Sequence, residues 1–96
     1  MTKVTEKSIV NSILKYLKAQ PGCFVWKEHG GQYGTAGIPD IICCKDGQFF
    51  AFEVKRPGNK PTKLQEETIK DIRAAGGRAF VVYSLEDVKE AISWRG

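Results

Sequence analysis

Three ionisable residues carry the chemistry this sequence is able to do. Asp40 and Glu53 are separated by twelve residues, and Lys55 follows two positions later. Between the acids lies Lys45-Asp46-Gly47-Gln48, and Asp-Gly between apolar runs is a strong signal for a two-residue hairpin turn. Such a turn pairs Lys45 with Gln48, so cross-strand partners have numbers summing to 93 and Asp40 faces Glu53. Alternation puts Lys55 on the same face, while Ile41, Phe50, Phe52 and Val54 point to the other. Directly opposed Cβ atoms sit about 4.5–5.5 Å apart and like charges there repel, so this patch calls for a cation. One candidate is a hard divalent ion, Mg²⁺ or Mn²⁺, held by carboxylates and retaining several waters, with Lys55 orienting or polarising an attacking water. The other is Lys55 itself, neutralising Asp40 and Glu53 in an ion pair. A Lewis acid at a basic surface is what phosphodiester hydrolysis requires.

The elements that must position these groups follow from periodicity. Ile9, Val10, Ile13, Leu14 and Leu17 predict a helix over 5–20, stopped by Pro21-Gly22. Glu6 falls within its apolar stripe and is aimed inward, a possible third carboxylate. A strand is expected over 23–29, with Phe24 and Trp26 in the core, followed by the glycine-rich GGQYGTAG. The hairpin strands span 38–44 and 49–55. A helix over 62–75 ends at Gly76-Gly77, a strand spans 79–83, and Ser84 opens a last helix carrying Leu85, Val88 and Ile92. The order α-β-β-β-α-β-α predicts an α/β fold, a mixed sheet flanked by helices on both faces, with its third and fourth strands parallel across a β-α-β crossover.

A chain of 96 residues supports one domain, 1–96, and no second core. Its 42% hydrophobic and 27% charged residues exclude disorder and collagen-like composition, and no apolar run is long enough to span a bilayer. The net charge of +4 leans weakly toward a polyanionic partner. Position says more: residues 54–63 hold Lys55, Arg56, Lys60 and Lys63 with no acid, which suits a phosphate-facing segment as well as a solvated loop. Lys27 and His29 alternate along the first strand as candidate phosphate contacts, and Tyr33 in the glycine-rich loop is a candidate to stack on an unpaired base. Cys23, Cys43 and Cys44 are odd in number and two are adjacent, fitting neither a disulfide framework nor zinc spacing; they read as reduced core residues.

Ile38-Pro39-Asp40, twelve residues, then Glu53-Val54-Lys55 resembles the signature of the PD-(D/E)XK nuclease superfamily, whose core has this element order. The longer pattern GIPD…FEVKRPGNKPTKLQ…GG resembles the VRR-NUC nucleases, including small phage and bacterial proteins similar to Holliday junction resolvases; the likeness runs from Glu6 to Tyr83. The resemblance implies that Asp40 and Glu53 bind the metal with the Val54 carbonyl, that Glu6 is the acid on the first helix, and that Lys55 assists the water. Gln65 matches the family glutamine. Thr62-x-x-Gln65 is equally a helix capping box, so Gln65 has two readings. The implied activity is that of a divalent-metal-dependent, structure-selective DNA endonuclease acting on branched DNA such as four-way junctions, as a homodimer in the cytoplasm of a bacterial cell or phage-infected host. The alternative is a nucleic-acid-binding module that keeps the fold without the chemistry.

Overall fold

The computed structural model describes residues 4–28 and 36–93. The elements are α1 (Glu6–Lys18), β1 (Cys23–Lys27), β2 (Ile41–Lys45), β3 (Gln48–Val54), α2 (Lys63–Ala74), β4 (Arg78–Val82) and α3 (Leu85–Ser93), in the expected order. They build an α/β fold around one four-stranded sheet of order β1-β2-β3-β4. β1, β2 and β3 are antiparallel neighbours and β4 runs parallel to β3.

Helix starts follow side-chain chemistry. Thr5 caps α1, its hydroxyl accepting from the Ser8 N–H at 3.0 Å while the Ser8 hydroxyl accepts from the Thr5 N–H. Ser84 accepts from the Asp87 N–H at 3.2 Å ahead of α3. The Asp87 carboxylate reaches past Ser84 to the Tyr83 N–H at 2.8 Å, one residue further back than a capping box would take it.

The apolar stripe of α1 and the inner side of α3 cover one face of the sheet, burying Ile13, Leu17 and Val88 against Ile41, Phe50, Phe52 and Val54. α2 covers the other face, with Ile69 buried on Ile42, Ala51 and Ala79. That second cover is partial and overturns part of the expected core. Phe24 and Trp26 are 69% and 42% exposed, because α2 packs over the β3–β4 side and leaves the β1 edge bare. Phe49 on β3, Leu64 on α2 and Cys44 are exposed as well; of the cysteines only Cys43 is buried.

The hairpin turn forms as its residues demand. Asp46 and Gly47 both have positive φ, 51° and 80°, the two-residue turn whose twist matches the strands. The Asp46 N–H also donates to the Gly22 carbonyl at 2.9 Å, docking the turn on the start of β1. The resulting register, Lys45↔Gln48 through Ile41↔Phe52, follows the predicted sum of 93 throughout.

The approach to Asp40 depends on Gly37. Its φ is 82°, and a Cβ there would sit 2.8 Å from Leu64 Cγ and 2.9 Å from Thr68 Oγ1 on α2. Only a glycine lets this loop lie against α2 and deliver buried Pro39 and Asp40 to the head of β2. Gly37→Ala is expected to cost about 1–3 kcal/mol, read as a lower urea midpoint at unchanged m-value.

Candidate active site

Asp40 immediately precedes β2 and Glu53 is the penultimate residue of β3, so the pair closes the hairpin at the end away from its turn. The Asp40 carboxylate accepts from the Val54 N–H, 2.8 Å from Oδ2, which fixes it across the strands. Its backbone carbonyl accepts from the Glu28 N–H at 2.7 Å. Glu53 is 1% exposed, the one buried charged residue among those described, and its Oε1 has no hydrogen-bond partner. The Lys55 N–H donates to the Val82 carbonyl at 3.0 Å, carrying the β3–β4 pairing one residue further. The Lys55 Nζ stands 3.9 Å from Glu53 Oε2, an ion pair too long to be a hydrogen bond.

Burial pushes the Glu53 carboxyl up to about 8; hydrogen bonding with Asp40 and the Asp40 charge add to the rise, Lys55 opposes it, and Glu6 contributes last. A buried carboxylate with one stranded oxygen beside a second carboxylate is a donor set short of a cation. Two carboxylates suit a Mg²⁺-type ion that keeps most of its waters, so the residues fit the expected group.

The third ligand is a correction. Among the described residues no three His, Cys, Asp or Glu side chains form a metal-binding group, so Glu6 does not join Asp40 and Glu53 as expected. Glu6 is half-buried at the first turn of α1, near enough to be felt by Glu53 but packed against the opposite face of the sheet.

The other predicted residues sort by register. Lys27 pairs with Ile41, which turns its side chain to the face opposite Asp40 and Glu53. Gln65 serves as the helix cap: its Oε1 accepts from the Thr62 N–H at 2.8 Å and its own N–H donates to Thr62 Oγ1 at 3.2 Å. The capping reading is therefore the one these hydrogen bonds show. Arg56 is half-buried, and Lys60 and Lys63 are exposed, on the segment leading from Lys55 into α2. The Val54 side chain is core, leaving its backbone for the site. His29 and Tyr33 lie outside the described residues.

Glu28 is a neighbour that sequence reasoning missed. One step beyond Lys27↔Ile41 it falls opposite Asp40, on the face of Glu53. Its carboxylate accepts from the Trp26 indole N–H, 3.1 Å from Oε2, and is held there. The alternation Trp26, Glu28 is visible in the sequence, but nothing local fixes the β1 register that gives it meaning.

The raised Glu53 carboxyl predicts how metal-free stability depends on pH. The ordinary value is 4.5, so from there to about 8 the folded chain keeps a proton that the unfolded chain releases. Stability is full below pH 4.5, falls as pH rises toward 8, and is flat above. Glu53→Gln removes that slope and stabilises the chain at pH 8, as measured by urea unfolding in chelator across this range.

No curated protein matches the chain. Among solved structures, one described as a VRR-NUC domain superposes with a TM-score of 0.76 at 26% identity, covering 95% of this chain and 97% of its own. A second, described as a VRR-NUC domain protein, gives a TM-score of 0.71 at 21% identity, covering 97% of this chain and 88% of that one. The family model described as archaeal Holliday junction resolvase, Hjc, matches residues 6–93. That span runs from Glu6 through the Asp40/Glu53 hairpin to the end of α3, and the chain therefore belongs to the Hjc family, with a VRR-NUC nuclease-like domain.

Proposed function

We propose that this nuclease-family domain acts on DNA as a divalent-metal-dependent endonuclease that recognises branched structure, such as a four-way junction, rather than base sequence. The observation that carries the reading is the Glu53 carboxylate, 1% exposed, with one oxygen stranded beside Asp40. Asp40 and Glu53, with the Val54 carbonyl, would hold Mg²⁺ or Mn²⁺, which when bound supplies a Lewis acid to a phosphoryl oxygen and lowers the pKa of water.

The chain's own residues do the rest. The Val54 N–H holds Asp40 in one orientation, the loop at Gly37 packs on α2 in the approach to it, and Glu53 is closed off from bulk solvent. Lys55, on the flank of Glu53, presents an ammonium that can donate to an attacking water or to a non-bridging phosphate oxygen. Arg56, Lys60 and Lys63 supply backbone-phosphate contacts, which position a duplex without reading it. No helix among the described residues is long and apolar enough to cross a membrane.

A homodimer would place two such sites on two strands of a junction. The bare sheet face at Phe24, Trp26 and Phe49 supports it, since contiguous exposed aromatics on a domain this small mark a contact surface. Sedimentation is expected to give a dimer at micromolar concentration and a folded monomer for Trp26→Glu.

Cleavage of labelled linear, flap, splayed and four-way substrates tests the activity. Four-way DNA is expected to be cut with Mg²⁺ or Mn²⁺ and not in chelator. Asp40→Asn and Glu53→Gln should each lose at least about 10²-fold, and Lys55→Met on the order of 10². The ion alone should raise the melting temperature of the wild type at pH 8 but not of Glu53→Gln. Tight junction binding without cleavage under every ion would instead describe the non-catalytic module.

A further inference from the structure

We infer that Cys23 and Cys43 form a thiol–disulfide modification site, oxidised reversibly by small-molecule disulfides. The two sulfurs stand 3.4 Å apart, bridging β1 and β2. Cys23 lies opposite Lys45 and Cys43 opposite Val25, so the pair occupies the same sheet face on a diagonal, which strand twist here draws together. A disulfide bond length of about 2.04 Å requires the sulfurs to close by only about 1.4 Å from where they stand. The strands are held at this point, because the Asp46 N–H donates to the Gly22 carbonyl immediately before Cys23.

The three cysteines have three environments, and these assign the roles. Cys23 is half-buried at the start of an edge strand, the less enclosed of the two paired thiols, and is assigned the first reaction with the oxidant. Cys43 is fully buried, its thiol pushed up to about 12 chiefly by that burial and by hydrogen bonding with Cys23. It is shielded from outside reagents and able to reach only its neighbour. Cys44 is exposed on the opposite face and points away from both.

The chemistry then runs in two exchanges. The Cys23 thiolate attacks a sulfur of the oxidant R–S–S–R, forming the mixed disulfide Cys23–S–S–R and releasing one R–S⁻. Cys43 gives up its proton and attacks Cys23 Sγ, forming the intramolecular bond and releasing the second R–S⁻. Both cysteine thiols are oxidised, one small disulfide is reduced to two thiols, and the two protons pass to the leaving thiolates. The second exchange is the slow one, because the Cys43 proton is hard to remove, and it quickens as pH rises.

The test uses the full chain with Cys44→Ser, so that only the proposed pair can react. Folded protein is incubated with oxidised glutathione, then denatured, alkylated and weighed intact. The expected product is about 2 Da lighter than the reduced chain, carries no glutathione and has no alkylatable thiol. It should melt at least about 5 °C higher than the reduced form, since the bond closes a loop of about 20 residues. Cys23→Ser with Cys44→Ser, shown to be folded by circular dichroism, should form no intramolecular bond. Two alkylatable thiols after prolonged incubation would overturn the inference, as would a glutathione adduct that never resolves. A lower melting temperature for the oxidised chain would also overturn it, because the bond would then form only by distorting the sheet.

Discussion

The site is organised around a carboxylate kept where water does not reach it. An ionised group of this kind is taken out of water at a cost of several kcal/mol, and its neighbours do not compensate. Asp40 repels it, and Lys55 at 3.9 Å is beyond hydrogen-bonding range. Without a further positive charge the lower-energy state of Glu53 below about pH 8 is protonated, because burial pushes its carboxyl up to about 8. A core residue at this point of β3 would be more stable. The fold carries a locally unfavourable arrangement whose strain a cation between the two acids would relieve.

Three separate constraints hold the acids together against their repulsion. The Asp46-Gly47 turn pins β3 to β2 with no freedom to slip, because both residues take the positive φ that the turn requires. The Val54 N–H holds the Asp40 carboxylate directly. Gly37 then lets the chain before Asp40 lie in contact with α2, so the approach to the site is set by helix packing rather than by loop conformation. Lys55 is fixed from the other side, through the parallel pairing of β3 with β4. No one of these contacts is strong. One acts at the hairpin turn and the others at the opposite end of β2 and β3, and together they leave the site little room to relax.

This division explains what was legible in the sequence. The hairpin register could be read residue by residue because Asp-Gly is a local instruction with a fixed geometric consequence. The helix stripes and the crossover between β3 and β4 were legible for similar reasons of periodicity and order. Coverage was not. Alternation puts Phe24 and Trp26 on the face that α2 packs against, but only the length and placement of α2 decide that its cover stops short of β1. Gln65 shows a different limit: one residue satisfied two patterns, and the reciprocal hydrogen bonds with Thr62 were available locally, before any tertiary contact formed. Glu6 was rightly placed on an inward stripe. That stripe serves the face opposite Glu53, a fact carried by which side of the sheet α1 occupies.

The partial cover also relates the site to the surface. Successive rows on one sheet face are about 7 Å apart, so Trp26 and Ile42 lie one row from Glu28, Asp40 and Glu53. Trp26 is bonded to Glu28, whose backbone is bonded to Asp40. The exposed aromatic edge and the buried acids therefore belong to one continuous hydrogen-bonded segment of β1 and β2. The Trp26 indole is bonded to a carboxylate beside the site, and the Phe24 ring packs on that indole at 5.7 Å. Trp26 and Glu28 thus place the exposed aromatic edge and the neighbourhood of the two acids on one strand, joined to Asp40 by a backbone hydrogen bond.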